Sequence, residues 1–249
     1  MLAGVTMPIS DLLGGLDRCL VRGARGLLWI ALGLVLGWWI YVPVHELLHA
    51  AGCLAAGGAV SRLEIDAMYG ARLLARIFPF VHVGGEYAGR LSGFDTRGSD
   101  WIYLATDLAP YLVTFLPGVW WLRRAGRRGR PLWFGAALPW GLAPFLSLTG
   151  DAFEIGTLAA VHLPPARGLR TLIGDDLVRK AAEIDFSLPS LAFGFAIAAA
   201  VGIAWAFTWY RLGGAIAALL GEPRLGAMTR PPVARSSSAT GGKAGGASR

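Results

Sequence analysis

Apolar residues dominate four long stretches of this 249-residue chain, and polar residues gather between the stretches instead of alternating through them. They run from about Leu27 to Ala56, Trp101 to Leu122, Pro131 to Ala160 and Pro189 to Leu212. A helix needs about 20 residues to cross the hydrocarbon core of a bilayer, and each stretch reaches that length. The pattern predicts an all-α polytopic membrane protein of about four transmembrane helices. Residues 58–100 differ: Val60–Glu64 and Arg76–Tyr87 are rich in β-prone residues around Met68-Tyr69-Gly70, which predicts a small β-rich loop after the first helix. Residues 1–26 mix Asp11, Asp17, Arg18, Arg22 and Arg25 with short apolar runs, as expected of an N-terminal cytoplasmic or interfacial segment without a cleavable signal peptide. A polar loop is expected over 161–188 and a fourth helix over 189–220. The stretch 221–249, rich in Gly, Ser, Ala, Pro and Arg, offers little apolar surface and is expected to be a disordered tail.

Composition agrees with this picture. Hydrophobic residues make up 55%, charged residues only 16%, and mean hydropathy is +0.52, which excludes an ordinary soluble domain with about a quarter of its residues charged. Most of the 23 Lys and Arg lie in the N-terminal segment, in the arginine-rich turn 123–130 and in the C-terminal tail. The two remaining loops balance their basic residues with acids. Under the positive-inside tendency, four spans then put both termini in the cytoplasm, and a bacterial inner (cell) membrane is the expected location. The arginine turn reads as a topology signal facing anionic lipid, with no nucleic-acid partner implied. Trp38, Trp39, Trp101, Trp120 and Trp121 suit interface anchoring or helix packing. Cys19 and Cys53 are the only cysteines and read as free thiols in packed helices.

Chemistry concentrates at His45-Glu46-Leu47-Leu48-His49, inside the first apolar stretch. Imidazoles four residues apart share one face of a helix, so both can bind one Zn2+ while the adjacent carboxylate reaches a water on the metal. Ionisable groups in hydrocarbon are costly and mark functional sites. Catalytic zinc takes three protein ligands, so a third donor is needed. Asp107, Asp151 and Glu154 are the acids available in later spans. Asp151 is favoured because Pro131, Pro139, Pro144, Gly135, Gly141 and Gly150 interrupt its segment, and a broken helix lining a wet cavity is tolerated at membrane depth. Asp107 and Glu154 stay open as alternative ligands or as residues that hold a ligand histidine. Pro43 removes a backbone donor just ahead of the motif. His82 and His162, each isolated, read as ordinary histidines.

An intramembrane His-Glu-Leu-Leu-His, followed two spans later by an Asp in a Pro- and Gly-interrupted helix, resembles the site-2 protease family of intramembrane zinc metalloproteases. The resemblance covers about residues 27–160 and implies a three-helix catalytic core with the motif on its first helix and the aspartate on its third. It implies Zn2+ as cofactor, His45, His49 and Asp151 as ligands, Glu46 as general base, and a transmembrane protein as substrate. The apolar segment Phe78–Tyr87, with Gly84, Gly85 and Tyr87, is similar to the substrate-binding β-loop of that family, whose strand edge would pair with unwound substrate. Two features depart from it. The family's Asn-Pro and following Asp-Gly are replaced by Pro144 and a glycine, Gly150, that precedes the acid, and the family's active site opens towards the cytoplasm where the charge count gives the opposite face. Two other classes remain: a zincin-type membrane peptidase with Glu154 as third ligand, and a non-catalytic zinc-binding adaptor, chaperone-like relative or metal carrier.

Overall fold

The computed structural model describes residues 6–226, apart from 86, 165 and 175. The chain is mostly helical, with one small sheet. Helix α1 (Met7–Cys19) leads into α2 (Ala24–Ala55), and three strands follow: β1 (Ala59–Ile65), β2 (Val81–Val83) and β3 (Gly89–Asp95). The second apolar stretch holds α3 (Asp100–Leu108) and α4 (Val119–Arg127), the third α5 (Pro131–Gly141) and α6 (Asp151–Ala160). A short α7 (Leu177–Glu183) crosses the expected polar loop before α8 (Pro189–Leu219). Three helical stretches are long and apolar enough to cross a membrane: Ala24–Ala55, Asp100–Arg127 and Pro189–Leu219. The third apolar segment is instead divided by a turn around Ala143–Leu146 and a break at Ser147–Gly150, where its prolines and glycines cluster.

Helix α2 is apolar almost all round, yet only one stripe is buried. Ile30, Gly33, Gly37, Tyr41, His45, His49 and Cys53 recur every three or four residues along that stripe, while Leu28, Val35 and Leu36 on other faces are exposed. That is the periodicity of a helix that presents one face to protein and the rest to an apolar surrounding. The two motif histidines continue the packing stripe. Close approach makes the stripe possible: a Cβ on Gly33 would overlap the Leu132 carbonyl, and one on Gly135 would overlap that of Ile30, so α2 and α5 touch backbone to backbone. Helix α6 meets α8 in the same way, with Gly156 against Ala198 and Gly202 against Ala152. The helix stays continuous across Pro43.

The sheet has the order β2-β1-β3, with β1 parallel to β2 (Leu63 opposite Val81) and antiparallel to β3 (Ile65 opposite Gly89). Leu63, Ile65 and Val81 pack with Ala50 and partly buried Leu47 of α2, which lays the sheet beside the second half of the motif helix. Trp39 ties the loop to the same helix by donating from Nε1 to the Met68 carbonyl at 2.6 Å.

Away from the motif, a buried ion pair joins distant parts of the chain. Arg123 Nε donates to Asp11 Oδ2 at 2.8 Å, Tyr210 Oη donates to the same oxygen at 2.9 Å, and Leu225 N donates to Asp11 Oδ1 at 2.8 Å. Asp11 and Arg123 are essentially inaccessible. Arg124 and Arg127 reach Glu222 at 3.4 and 3.1 Å. Two expectations change here. Arg123, Arg124 and Arg127 are engaged by acids of the protein, so only part of the basic turn faces outward. The tail expected to be disordered from Gly221 is packed as far as Gly226, because Glu222 and Leu225 have partners in the body; residues 227–249 lie outside the described residues. Removing one partner of a buried pair strands the other, so Asp11→Ala should destabilise the fold by about 3–5 kcal/mol. Asp17→Ala, on the exposed side of α1, should change it by about 0.5 kcal/mol or less. Unfolding titrations in detergent check both.

Candidate functional site

The packing stripe of α2 brings His45 and His49 to the break before α6. Asp151 is the first residue of that helix, where the exposed N–H groups favour a carboxylate. The break leaves few backbone groups stranded: the Ser147 carbonyl accepts from Gly150 and Ala152, and Thr149 accepts from Leu177 at 2.7 Å. Tyr111 and Ser147 share a hydroxyl hydrogen bond of 2.8 Å. The irregular chain is thus held by neighbours on several elements.

The two Nε2 atoms lie 3.2 Å apart, Asp151 Oδ2 lies 3.2 Å from His45 Nε2, and Asp151 Oδ1 lies 3.5 Å from His49 Nε2. Donors about 2.1 Å from a tetrahedral Zn2+ stand about 3.4 Å apart, so these separations fit such an ion. The other ring nitrogens are occupied. His49 Nδ1 lies 3.0 Å from the Thr106 carbonyl, which can only accept, so Nδ1 carries a proton and Nε2 is the nitrogen left to face Asp151. His45 Nδ1 lies 2.9 Å from Tyr41 Oη, which can accept from it in the same sense. Such outer partners fix the tautomer and orientation of metal-binding histidines. Asp151 Oδ2 is buried and accepts no hydrogen bond among the described residues, as expected of an atom that would face a cation.

Among the described residues, His45, His49 and Asp151 form the group of three that could hold a metal ion, their donors all within 4.8 Å of one another. Asp107 and Glu154 stand outside it. Asp107 is buried beside His49 and its Oδ2 has no hydrogen-bond partner, while Glu154 Oε2 accepts from Tyr103 Oη at 2.6 Å. Glu46, Asp107, Asp151 and Glu154 all line a small polar cavity of about 180 Å³ together with Arg90. Four carboxylates against one arginine favour a bound cation electrostatically.

Glu46 also faces a larger cavity of about 750 Å³, bounded by α2, the start of β3, the 146–150 break and α7. Tyr87 lies on its wall, with the Arg90 and Arg179 guanidiniums 5.8 and 5.4 Å from its ring centroid. Gly84 has φ +108°, a conformation suited to glycine, and donates to the Ile65 carbonyl; Gly85 lies against Glu64. His82 hydrogen-bonds the Phe80 carbonyl and His162 pairs with Asp100, so neither joins the cluster. Both cysteines are buried and free.

Sequence reasoning missed Tyr41, Thr106 and Gly89. Tyr41 lies four residues before His45 on the same face, a spacing that could have marked it. Thr106 acts through its backbone carbonyl, which leaves no sequence signal. A Cβ on Gly89 would overlap Glu46 Cγ, so this glycine lets β3 pass beside the motif carboxylate. No protein-family model, curated protein or solved structure matches the chain. The functional reading therefore rests on these residues.

Loss of an outer partner of a ligand histidine typically costs 10- to 100-fold in metal affinity. Tyr41→Phe is expected to weaken Zn2+ binding by about that factor without unfolding the protein, as measured by competition with a chromophoric chelator.

Proposed function

We propose that this chain is an intramembrane zinc metalloprotease of the site-2 type, hydrolysing peptide bonds in or near transmembrane segments of other membrane proteins. One observation carries the reading: His45, His49 and Asp151 converge with tetrahedral spacing while Glu46, between the histidines in sequence, faces a cavity large enough for an extended segment of chain. A purely structural metal site has no need of that carboxylate. In the same reading α5 and α6 together make a fourth, broken crossing, so that the core from α2 to α6 encloses a wet site within apolar helices.

Zn2+ bound there would polarise a scissile carbonyl and acidify a water. His45 and His49 would hold the ion through Nε2, with Tyr41 and Thr106 keeping the rings in place. Asp151 supplies the third donor from the helix start. Glu46 takes a proton from the attacking water and delivers it to the leaving amine nitrogen. A hydrogen-bonded helix shields its peptide bonds, so the substrate must unwind locally. Strand β3 supports the step that follows: β1 occupies one of its edges, and Gly89 and Arg90 lie on the wall of the large cavity, where an unwound segment can add to the sheet. Tyr87, on the same wall, contributes an aromatic surface for its side chains.

Glu46→Gln should keep stoichiometric zinc and lose cleavage of a model transmembrane substrate by a factor of about 10²–10⁴. Asp151→Ala should lose both zinc and cleavage, while Asp107→Ala should keep zinc. Metal analysis of the purified variants and reconstituted cleavage assays read these outcomes. Normal cleavage by Glu46→Gln would refute the mechanism, and zinc retained by Asp151→Ala but lost from Asp107→Ala would move the ligand.

A further inference from the structure

The arginines at the turn between α4 and α5 divide into two sets. Arg123 is buried against Asp11, and Arg124 and Arg127 pair with Glu222. Arg128 and Arg130 are exposed and form no side-chain ion pair among the described residues. These two line a groove of about 200 Å³ with Arg124 and with Trp120, Trp121 and Trp133. Arg124 lies over the Trp120 ring at 5.0 Å. Trp121 meets both Trp133 and Trp140 with ring centroids 6.2 Å apart, so the aromatic wall continues from the groove along α4 and α5. Trp133 is 51% exposed although it is among the largest apolar side chains of the molecule.

Each half of this surface asks for a different chemical group. Guanidiniums without an internal counter-charge match the geometry of a phosphate and can bind it through two hydrogen bonds each. Indole rings at the end of membrane-crossing helices favour the boundary between headgroups and acyl chains. A small soluble anion would use the arginines and leave the tryptophans exposed. A phospholipid uses both, and a basic pocket between helices at the membrane surface favours an anionic headgroup.

We propose that this groove binds one anionic phospholipid, with its phosphate between Arg128 and Arg130 and an acyl chain along Trp133, Trp121 and Trp140. A zwitterionic lipid binds less well because its ammonium group faces the same guanidiniums. The site lies apart from the His45–Asp151 cluster and does not depend on the protease reading.

Native mass spectrometry of the full chain, released from micelles doped with equal dioleoylphosphatidylglycerol and dioleoylphosphatidylcholine, tests the assignment. The wild type should retain one phosphatidylglycerol at least about tenfold in preference to phosphatidylcholine, roughly the discrimination that one or two surface charges provide. Arg128→Gln/Arg130→Gln should lose that preference. Arg72→Gln/Arg76→Gln, which removes the same charge from the exposed loop after β1, should keep it. Retention of the preference by the first double variant, equal loss in the second, or displacement of the lipid by inorganic phosphate at the lipid's own concentration would each overturn the proposal. Quenching of tryptophan fluorescence by brominated phosphatidylglycerol, abolished in Arg128→Gln/Arg130→Gln and reduced in Trp133→Ala, gives an independent reading; unchanged quenching in both would also overturn it.

Discussion

Two imidazole Nε2 atoms and a carboxylate meet at 3.2 to 3.5 Å among apolar helices. With His49 Nδ1 donating to the Thr106 carbonyl, its Nε2 faces the other two groups across that gap, and such a meeting is tolerable only with a cation or protons between them. Much of the architecture serves to hold these three groups together. Helix α2 must keep its histidines on the buried stripe, and its glycines let α5 press against it. Helix α6 must begin level with those histidines, so the segment before it breaks between Gly141 and Asp151. Helix α8 braces α6 through contacts between small residues, fixing the carboxylate from behind.

The helical part of this arrangement was legible because apolar length and helical spacing are local properties. The first stretch, the His45–His49 motif and the interruption before Asp151 each show in runs of a few dozen residues. The preference for Asp151 over Asp107 and Glu154 drew on the interruption of its segment, and the structure gathers that residue with the histidines. Other features depend on partners far away in sequence. Strand β3 contains Gly89, Arg90 and Gly93, a weak β former by composition, and is a strand because β1 supplies its hydrogen bonds. Arg123 looked like a surface charge because its partner, Asp11, lies 112 residues earlier. Separations of 98 and 214 residues hid the packing of Glu222 and Leu225 in the same way.

The buried Asp11–Arg123 pair alters how charge can be read along this chain. Counting basic residues by loop treats every arginine as a free charge near the membrane surface. Here three arginines of the turn meet carboxylates of the protein, and Arg128 and Arg130 are left to face outward. The turn's contribution to an orientation signal is correspondingly smaller. Its aromatic surroundings then matter more, because a few charges beside indole rings define a local binding surface better than they define a topology.

Gly89 connects the sheet to the motif more tightly than the chain order suggests. Glu46 stands between the large cavity and the small acidic one, and β3 passes it so closely that any side chain at position 89 would overlap Cγ. The position of the carboxylate is therefore set from two sides, by the helix that carries it and by the strand that confines it. That strand is registered on β1, and β1 is packed on Leu47 and Ala50, the residues that flank the second half of the motif. A shift of the sheet relative to α2 would move the strand edge and crowd Glu46 at the same time. The β-rich loop is for this reason part of the geometry of the motif, and a segment seated on the edge of β3 lies in the cavity that Glu46 faces.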